Sequence, residues 1–238
     1  MPDYQYTKFT NAAYDLDNFK GPQLGTKIDA FDVTEINGGK VNLLGFEGKF
    51  LVLELGSITC PLFQGRRKGM AAMLNDNPDV SFAILYVREA HPGRDIGQHK
   101  SLDNKVSNAR MLRDDDGEGR RILIDDMTGS VHKAFGGFPN SAFIINRNGC
   151  LVYKSDWNNP AATTRALARL KAGKAAGGPG MFLPAPPPLA LKILRRAGRD
   201  ALWDFLKDLP VLIWKNAIKR NLRNLFRRQA DVRADHIC

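Results

Sequence analysis

The sequence predicts an α/β domain in which helices flank a central mixed sheet. The first observation is a β-α-β unit. Two short and nearly continuous apolar runs, 50–56 and 80–87, surround a helical stretch from about residue 62 to residue 74. Such runs are typical of buried strands, and strands joined through a helix lie parallel. The second observation is that the domain ends with two strands and a helix, where a short turn makes the two strands antiparallel.

The remaining elements are predicted from turn residues and periodicity. Apolar and polar residues alternate on both sides of Asn37-Gly38-Gly39, which predicts an N-terminal β-hairpin before the β-α-β unit. After the unit we expect a helix over about 101–113, a strand over 122–125, a brief helix capped by Thr128 and ending at Phe135, strands over 142–146 and 150–154 joined by Arg147-Asn-Gly149, and a helix from Pro160 to about Gly173.

Composition divides the chain into five parts. A length of 238 residues allows one full core and a smaller appendage. Glycine and proline dominate residues 174–188, so we expect a linker that neither forms a helix nor packs well. The expected parts are an N-terminal extension (1–20), the α/β domain (21–173), the linker (174–188), a basic amphipathic helical tail (189–228) and a C-terminal end (229–238).

The tail carries most of the positive charge. From residue 181 onward there are twelve Lys/Arg and five Asp, so +7 of the formal +10 lies in the last quarter of the chain. We expect two helices, 189–209 and 211–228, broken at Pro210. In the second, one face carries Val211, Trp214, Ile218, Leu222 and Leu225. A basic amphipathic helix with tryptophan favours docking on an anionic membrane or an acidic partner, and an inert solvated tail is the alternative.

Two observations bear on location. The first twenty residues contain no charged region followed by an apolar run, so no secretory signal is expected. No stretch of eighteen apolar residues is present, so no transmembrane helix is expected. We expect a cytoplasmic protein that the tail can hold peripherally at a membrane.

The cysteines indicate thiol chemistry. Cys60, Cys150 and Cys238 are an odd and sparse set that does not fit a disulfide-stapled scaffold. No Cys or His pair has metal-ligand spacing, so no metal site is expected. Cys60 follows the strand 50–56 and precedes a helix that begins near Pro61. Unpaired N–H groups and the helix dipole favour thiolate at such a position. The alternative is a small buried apolar residue.

Polar residues near Cys60 are candidate partners for it. Ser57 and Thr59 can donate hydroxyl hydrogen bonds to the sulfur. Glu89 and His91 lie at the carboxyl end of the next parallel strand, where open sheets bind ligands. Histidine is suited to proton relay near neutral pH. The alternative for His91 is a solvated loop residue, and His132 is expected at the surface.

The order of elements resembles that of thioredoxin. A further similarity is Pro139, which lies in Gly136-Gly-Phe-Pro-Asn-Ser141 immediately before the strand 142–146. In thioredoxin-like proteins such a proline is typically cis, and its neighbouring backbone binds the substrate. The resemblance therefore implies a cis Pro139 at the active site, with a trans turn proline as the alternative.

The segment around Cys60 resembles the iodothyronine deiodinase family. The run Leu51-Val-Leu-Glu-Leu-Gly-Ser-Ile-Thr-Cys-Pro-Leu-Phe63 is similar to the family's strand followed by Gly-Ser-x-Thr, selenocysteine, Pro and a Phe two residues on. The run Tyr86-Val-Arg-Glu-Ala-His-Pro92 is similar to Tyr-x-x-Glu-Ala-His-Pro, and His99 matches a third family histidine in its His-x-Ser-Leu context. The resemblance covers about residues 48–170.

This resemblance implies the reductive dehalogenation of an iodinated or halogenated phenol of the thyroxine type. Cys60 would be the nucleophile, and Glu89, His91 and His99 would relay protons and bind the phenol. The supporting residues would be Ser57, Thr59, Pro61, Phe63, Tyr86 and Pro139. No cofactor is implied, because an external thiol such as thioredoxin or glutathione would be the reductant. A homodimer is a further candidate assembly.

The chain departs from the family pattern at three places. Cys60 stands where the animal enzymes have selenocysteine, and a thiolate is the poorer nucleophile. Arg120-Arg121 stands where the family often has Cys-Pro, so that candidate resolving thiol is missing. Ser155-Asp-Trp-Asn-Asn159 replaces a glycine-rich segment with an arginine that clamps the iodothyronine carboxylate.

Two other thiol activities are alternatives. A peroxiredoxin-like peroxidase would use Cys60 to attack peroxide and form a sulfenic acid. Ser57 stands at the hydroxyl position of the motif Pro-x-x-x-Thr-x-x-Cys, but Leu53 replaces the proline and no arginine occupies an obvious activating position. A disulfide reductase is disfavoured because no Cys-x-x-Cys is present. A membrane-binding or partner-binding module that acts through the tail is the alternative outside enzymology.

Overall fold

The computed structural model describes residues 4–226 and 230–238. Its strands are β1 (Asp32–Glu35), β2 (Lys40–Asn42), β3 (Phe50–Gly56), β4 (Ser81–Tyr86), β5 (Arg121–Ile124), β6 (Ala142–Asn146) and β7 (Leu151–Ser155). Its helices are α1 (Pro61–Asp76), α2 (Leu102–Asp114), α3 (Ser130–Ala134), α4 (Pro160–Lys171), α5 (Pro187–Ala197), α6 (Arg199–Leu212) and α7 (Asn221–Phe226). A π-helical stretch, Ile213–Arg220, joins α6 to α7.

The strands form one mixed sheet in the order β2-β1-β5-β4-β3-β6-β7. The central strands β3, β4 and β5 are parallel, and the outer strands join them antiparallel. This is the thioredoxin-like arrangement that the sequence predicted, with the hairpin β1-β2 added beside β5. Gly56 at the end of β3 pairs with Tyr86 at the end of β4. The loops that follow these two strands therefore lie side by side.

The centre of the sheet is buried on both faces. Every residue of β3 is buried, as its continuous apolar run predicted. Phe63 of α1 is fully buried and packs so closely on Gly56 that a β-carbon at position 56 would overlap its ring. Phe63 therefore holds α1 against the end of β3. It belongs to the core, whereas the sequence assigned it to the substrate site.

Helix α3 begins differently from the prediction. Its N-cap residue is Gly129, with φ 70°, and the hydroxyl of Thr128 makes no capping bond. The carboxylate of Asp125, at the end of β5, accepts the backbone N–H of His132 at 3.0 Å. The carboxylate of Asp125 thus replaces the Thr128 hydroxyl that was expected to cap the helix.

The tail breaks at Gly198, and the predicted break at Pro210 is wrong. Gly198 has φ 143° and ψ 156°, a backbone conformation that is open essentially to glycine alone. Helix α6 continues through Pro210, and the chain then widens into the π-helical stretch. Proline removes one backbone donor, and a π turn is one way in which a helix absorbs such an irregularity. The predicted end of the tail at Arg228 lies outside the described residues.

Residues 174–188, predicted to be a loose linker, are packed onto the domain. Phe182 is buried, with its ring centroid 5.6 Å from that of Trp157. The side chain of Asn221 accepts the backbone N–H of Phe182 at 2.7 Å and donates to its carbonyl at 3.1 Å. Pro187 already begins α5. The buried ring of Phe182 and its paired backbone groups hold this segment against the domain, although its glycine-rich and proline-rich composition predicted a flexible linker.

The corner between α5 and α6 is seated on the loop that follows β4. The carbonyl of Ala197 accepts the backbone N–H groups of Asp95 at 2.9 Å and Ile96 at 3.0 Å. The carboxylate of Asp200 accepts the N–H of Arg94 at 3.1 Å. The tail is therefore part of the structure around this loop.

No helix within residues 4–226 or 230–238 combines the length and the apolar character needed to cross a bilayer.

Cys150 and Cys238 form a disulfide, so the expectation that the cysteines serve thiol chemistry is wrong for these two. The C-terminal segment crosses the β6-β7 turn, where Asn146 donates to the carbonyls of Ala234 at 3.0 Å and His236 at 2.8 Å. This crossing brings together two cysteines 88 positions apart, a separation that no local pattern reveals. Cys60 is the free cysteine.

Candidate active site

Cys60 is the N-cap residue of α1, as predicted, but its surroundings favour the thiol. Its sulfur accepts the backbone N–H of Phe63 at 3.5 Å. The residue is only 1% exposed. Burial raises the pKa of the Cys60 thiol to about 11, and the Phe63 N–H and the positive charge of Arg66 offset only part of this effect. In this buried position the thiol is favoured over the expected thiolate, because loss of water outweighs the helix terminus.

Arg66 supplies a positive charge that the sequence did not predict. Its guanidinium is buried and donates to the side-chain oxygen of Asn140 at 2.7 Å and to the carbonyl of Leu183 at 2.8 Å. Arg66 lies on the buried face of α1 together with Phe63 and Met70. The sequence signal for Arg66 was a charged residue at a position where the helical period of α1 otherwise places buried apolar side chains.

A buried acid-base network lies beneath this arginine. The carboxylate of Glu54, in β3, accepts hydrogen bonds from Asn140 at 3.0 Å and from Asn158 at 2.6 Å. It also forms an ion pair with Arg120 at 2.6 Å, and Arg120 is in turn paired with Glu118 at 2.9 Å. Arg120 is thus a buried structural cation. It stands at the position where the family often has a cysteine that could act as the resolving thiol.

Glu89 is the centre of the polar network that the sequence predicted. Its carboxylate accepts hydrogen bonds from the Thr59 hydroxyl at 2.6 Å, the Tyr86 hydroxyl at 2.6 Å and His99 Nε2 at 2.9 Å. The side chain of Asn108 adds a fourth donor at 3.1 Å. Burial acts to raise the pKa of Glu89, but the bonds from His99, Thr59 and Tyr86 outweigh it and hold that pKa below its usual value.

The sequence did not predict that Asn108 would bind Glu89. It lies on α2 beside Ala109 and Leu112 on the buried face of the helix. Lys105, one turn earlier, is also buried and donates to the carbonyl of Asp125 at 2.9 Å. Polar residues on an otherwise apolar helix face were the available signal.

The hydroxyls of Ser57 and Thr59 do not bind the Cys60 sulfur, contrary to expectation. Ser57 accepts the backbone N–H of Ala90 at 3.1 Å, and Thr59 accepts that of His91 at 3.2 Å while donating to Glu89. Both residues therefore join the loop of Cys60 to the loop after β4. These contacts hold Glu89 and His91 beside Cys60.

His91 is enclosed by aromatic rings, so the alternative of a solvated loop residue is wrong. Its ring centroid lies 4.2 Å from that of Phe9 in the N-terminal extension and 5.4 Å from that of Phe205 in α6. Burial lowers the pKa of His91 to about 3, so its imidazole is neutral near pH 7. The buried Nδ1 atoms of His91 and His99 have no hydrogen-bond partner among the described residues.

The N-terminal extension closes another side of the site. The hydroxyl of Tyr4 accepts the N–H of Arg88 at 3.0 Å, and that of Tyr6 donates to the carbonyl of Ala90 at 2.9 Å. The guanidinium of Arg88 lies over the rings of Tyr4, Tyr6 and Tyr14, at 5.1, 4.5 and 5.1 Å from their centroids. Part of the extension thus packs directly on the loop that carries Glu89 and His91.

The Phe138–Pro139 bond is trans, so the expected cis peptide is absent here. The loop is held instead by His132, which was expected at the surface but is fully buried. The Nε2–H of His132 donates to the carbonyl of Phe138 at 3.0 Å, and its Nδ1 accepts the hydroxyl of Tyr4 at 2.9 Å. Burial lowers the pKa of His132 to about 3, so the neutral imidazole joins the extension to the Pro139 loop.

The comparison with protein families decides the relationship that the motifs suggested. The family described as iodothyronine deiodinase matches residues 1–163 of the 238-residue chain. The chain belongs to the iodothyronine deiodinase family. The matched range includes Cys60, Glu89, His91 and His99.

Curated deiodinases are similar to part of the chain. Thyroxine 5-deiodinase of Ovis aries is 35% identical over 114 residues, which are 44% of this chain and 38% of that protein. The thyroxine 5-deiodinase of Homo sapiens is 32% identical over 114 residues, 44% of this chain and 37% of that protein. The chain thus spans less than two fifths of the length of these relatives.

A solved structure supports the fold. An uncharacterized conserved protein from Geobacillus kaustophilus superposes with a TM-score of 0.52 at 20% identity, covering 64% of this chain and 84% of that chain. At 20% identity, this similarity supports the fold and nothing further. Within that fold, the candidate site has a cysteine at a helix N-terminus, a carboxylate whose pKa is lowered, and two histidines whose Nδ1 atoms have no partner among the described residues. These groups suit attack by sulfur coupled to proton transfer.

Proposed function

We propose that this protein is a thiol-dependent oxidoreductase that removes halide from an iodinated phenol, with Cys60 as the nucleophile. The observation that carries the proposal is the placement of Cys60 beside the Glu89 network. Thr59, the residue before Cys60, binds the Glu89 carboxylate through both its hydroxyl and its backbone N–H, at 2.6 and 3.2 Å. The nucleophile and the proton-transfer groups are therefore connected through one residue.

The reaction would proceed through a sulfenyl iodide. The Cys60 thiolate attacks iodine, an S–I bond forms as the C–I bond breaks, and the ring carbon takes a proton. One external thiol then attacks the Cys60 sulfur and displaces iodide. It loses its own proton, and a mixed disulfide with Cys60 results. A second thiol releases Cys60 as the free thiol and leaves a disulfide of the two external thiols. The balance is one aryl iodide and two thiols giving arene, disulfide and hydrogen iodide.

The histidines and Glu89 would serve the proton step. His99 Nε2–H is directed at the Glu89 carboxylate, and its Nδ1 is free to exchange a proton. Neutral His91, with a free Nδ1, can accept the hydrogen of the phenol hydroxyl. Tyr86 anchors Glu89 from the other side at 2.6 Å.

An external reductant, such as thioredoxin or glutathione, belongs to this proposal. Cys150 and Cys238 are held in a disulfide near the amino end of β3, since Phe50 pairs with Asn146, whereas Cys60 follows the carboxyl end of the same strand. Neither can reach the Cys60 sulfur without a rearrangement of the sheet. Turnover therefore needs a thiol from outside the chain.

A peroxiredoxin-like peroxidase is the second candidate, and Arg66 is the observation that favours it. No activating arginine is expected from the peroxiredoxin motif, whereas the positive charge of Arg66 acts to lower the pKa of the Cys60 thiol. In that reaction the thiolate would take one oxygen from a hydroperoxide, form a sulfenic acid and release water or an alcohol.

One experiment separates the two candidates. Iodide release from 2,6-diiodophenol and consumption of hydrogen peroxide would be measured with excess dithiothreitol, for the wild type and for Cys60→Ser. Iodide release that Cys60→Ser abolishes supports the dehalogenase. Peroxide consumption without iodide release supports the peroxidase. Cys150→Ser/Cys238→Ser is the control, because it removes the distant disulfide without leaving a free thiol and should leave the wild-type activity.

A further inference from the structure

The tail presents an unusual outer surface. Six apolar side chains along α6, the π-helical stretch and α7 form one exposed stripe, which we call the outer stripe. Its members and their exposed fractions are Trp203 (64%), Leu206 (41%), Trp214 (58%), Ile218 (40%), Leu222 (53%) and Leu225 (64%). They are spaced three, four or eight positions apart, and the stripe is roughly 30 Å long at the rise of a helix. Contiguous apolar surfaces of this kind mark interaction sites, unlike single exposed apolar residues.

The polar side of the same helix faces the domain. Asn216 is buried and accepts the indole N–H of Trp157 at 3.0 Å. Arg220 is also buried and forms an ion pair with Asp156. A surface helix normally packs its apolar side on the core and turns its polar side to water. Here the polar side chains of Asn216 and Arg220 share the domain-facing side with the apolar Phe205, Leu212 and Ala217. The apolar side chains of the outer stripe, on the opposite side, remain exposed.

Basic side chains accompany the outer stripe. Lys207 follows Leu206 directly, and its side chain is 73% exposed and forms an ion pair with Asp204 at 3.3 Å. Lys219 follows Ile218, and its side chain is 49% exposed and forms an ion pair with Asp17 at 2.7 Å. Because ion pairs at the surface contribute little energy, both lysines can exchange these partners for anionic headgroups. The segment from residue 181 onward has a net charge of +7. Tryptophan, aliphatic side chains and lysine side by side are the composition of a helix that lies in a bilayer interface, where lysine binds anionic headgroups.

Charge also decides between a membrane and a second copy of this chain. In a symmetric dimer the same patch meets itself, so the lysines beside the two stripes, Lys207 and Lys219 of each copy, would be brought together. Like charges at close distance oppose such pairing. An anionic bilayer offers the opposite charge together with an apolar layer. We propose that the outer stripe docks on an anionic lipid bilayer, with its tryptophans inserted at the headgroup level.

Helix α6 connects the outer stripe with the candidate active site. Phe205, between Trp203 and Leu206, points inward and contacts the ring of His91 at 5.4 Å. A docked tail would therefore lie between the bilayer and the His91 loop. The docking proposal itself does not depend on the proposed chemistry.

The test uses the full chain in vesicle flotation at low salt. Vesicles of phosphatidylcholine alone would be compared with vesicles that also contain phosphatidylserine. The variant Trp203→Glu/Trp214→Glu adds two charges to the stripe. The control Leu183→Glu/Ile237→Glu adds the same charge at apolar residues that are 58% and 82% exposed and lie outside the stripe. Circular dichroism would verify that both variants are folded.

We expect the wild type and the control to float with the anionic vesicles, and the stripe variant to bind at least about tenfold more weakly. Binding should blue-shift the fluorescence of Trp203 and Trp214, whereas buried Trp157 should contribute no shift. Absence of flotation with anionic vesicles, or equal binding by the stripe variant, would overturn the proposal. So would a wild-type dimer that fails to float and that Trp203→Glu/Trp214→Glu converts to a monomer in sedimentation, because the stripe would then be an interface between copies.

Discussion

The backbone N–H of Phe63 donates to the sulfur of Cys60 at 3.5 Å, at the first turn of α1. This is the geometry that lowers a thiol pKa when the sulfur is also hydrated. Here the sulfur is enclosed, and the pKa of Cys60 is about 11. Burial therefore favours the protonated thiol near neutral pH, and hydration of the sulfur would shift the balance toward the thiolate.

Alkylation of Cys60 should depend steeply on pH. Because the thiolate is the reactive form and the pKa is about 11, we expect the rate with iodoacetamide to rise about tenfold per pH unit between pH 7 and pH 10. Mass spectrometry of the labelled protein would measure it, with Cys60→Ser as the unlabelled control. A rate that levels off near pH 7 would mean that the buried Cys60 thiol is already ionised at that pH.

Substitution Glu89→Gln should impair both activity and stability. Glutamine keeps one acceptor oxygen, so some of the donors from Thr59, Tyr86, His99 and Asn108 lose their partner. We expect dehalogenation to fall by about 10² or more and the free energy of unfolding to fall by about 1–3 kcal/mol. Iodide release and urea denaturation measure the two effects. Exposed Glu47→Gln is the control, and equal behaviour of the two variants would show that Glu89 has no special role.

Removal of the Phe205 ring should hydrate His91. The pKa of His91 is about 3 because the ring is buried between Phe9 and Phe205. In Phe205→Ala we expect this pKa to move up toward the ordinary value of about 6.5, as followed by NMR titration of the imidazole. Trp203→Ala, on the same helix but exposed, should leave it unchanged. An unshifted pKa in Phe205→Ala would show that another group excludes water from His91.

Stability should fall in mild acid. The folded-state pKa values of His91 and His132 are both about 3, below their ordinary value of 6.5, so the folded protein binds fewer protons than the unfolded chain between these limits. Stability is therefore full above about pH 6.5 and is lost as the pH falls toward 3, by up to about 1.4 kcal/mol per pH unit for each histidine.

Urea denaturation at pH 7.5 and pH 5 measures this dependence. Both values lie above the usual range of carboxylate titration, so the histidines dominate the difference. We expect His132→Gln to reduce the difference between the two pH values and exposed Lys174→Gln to preserve it. A wild type that is equally stable at both values would contradict the burial of the two neutral imidazoles.

The sequence predicted the central elements well, because each has a local cause. The apolar run of β3 needs no partner to be recognised, and Pro61 marks the first residue of α1. Glu89 and His91 follow β4, so the pairing of β3 with β4 was enough to place them near Cys60.

The errors concern contacts between distant segments. The pKa of Cys60 depends on burial that local sequence does not reveal. His132 is buried by Tyr4, more than a hundred residues away in the chain. The tail sequence revealed an amphipathic helix but not which side would face the domain, because that choice depends on partners such as Asp156 and Trp157.

The central claim is that Cys60 takes the halogen from the substrate, and a single-turnover reaction tests it most directly. The wild-type protein would be mixed with excess 2,6-diiodophenol without any reductant, and the products would be quantified before and after addition of dithiothreitol. We predict one equivalent of mono-iodophenol per protein before the thiol is added, iodide only afterwards, and neither product with Cys60→Ser. Dehalogenation that continues in Cys60→Ser, or no mono-iodophenol from the wild type, would contradict the mechanism.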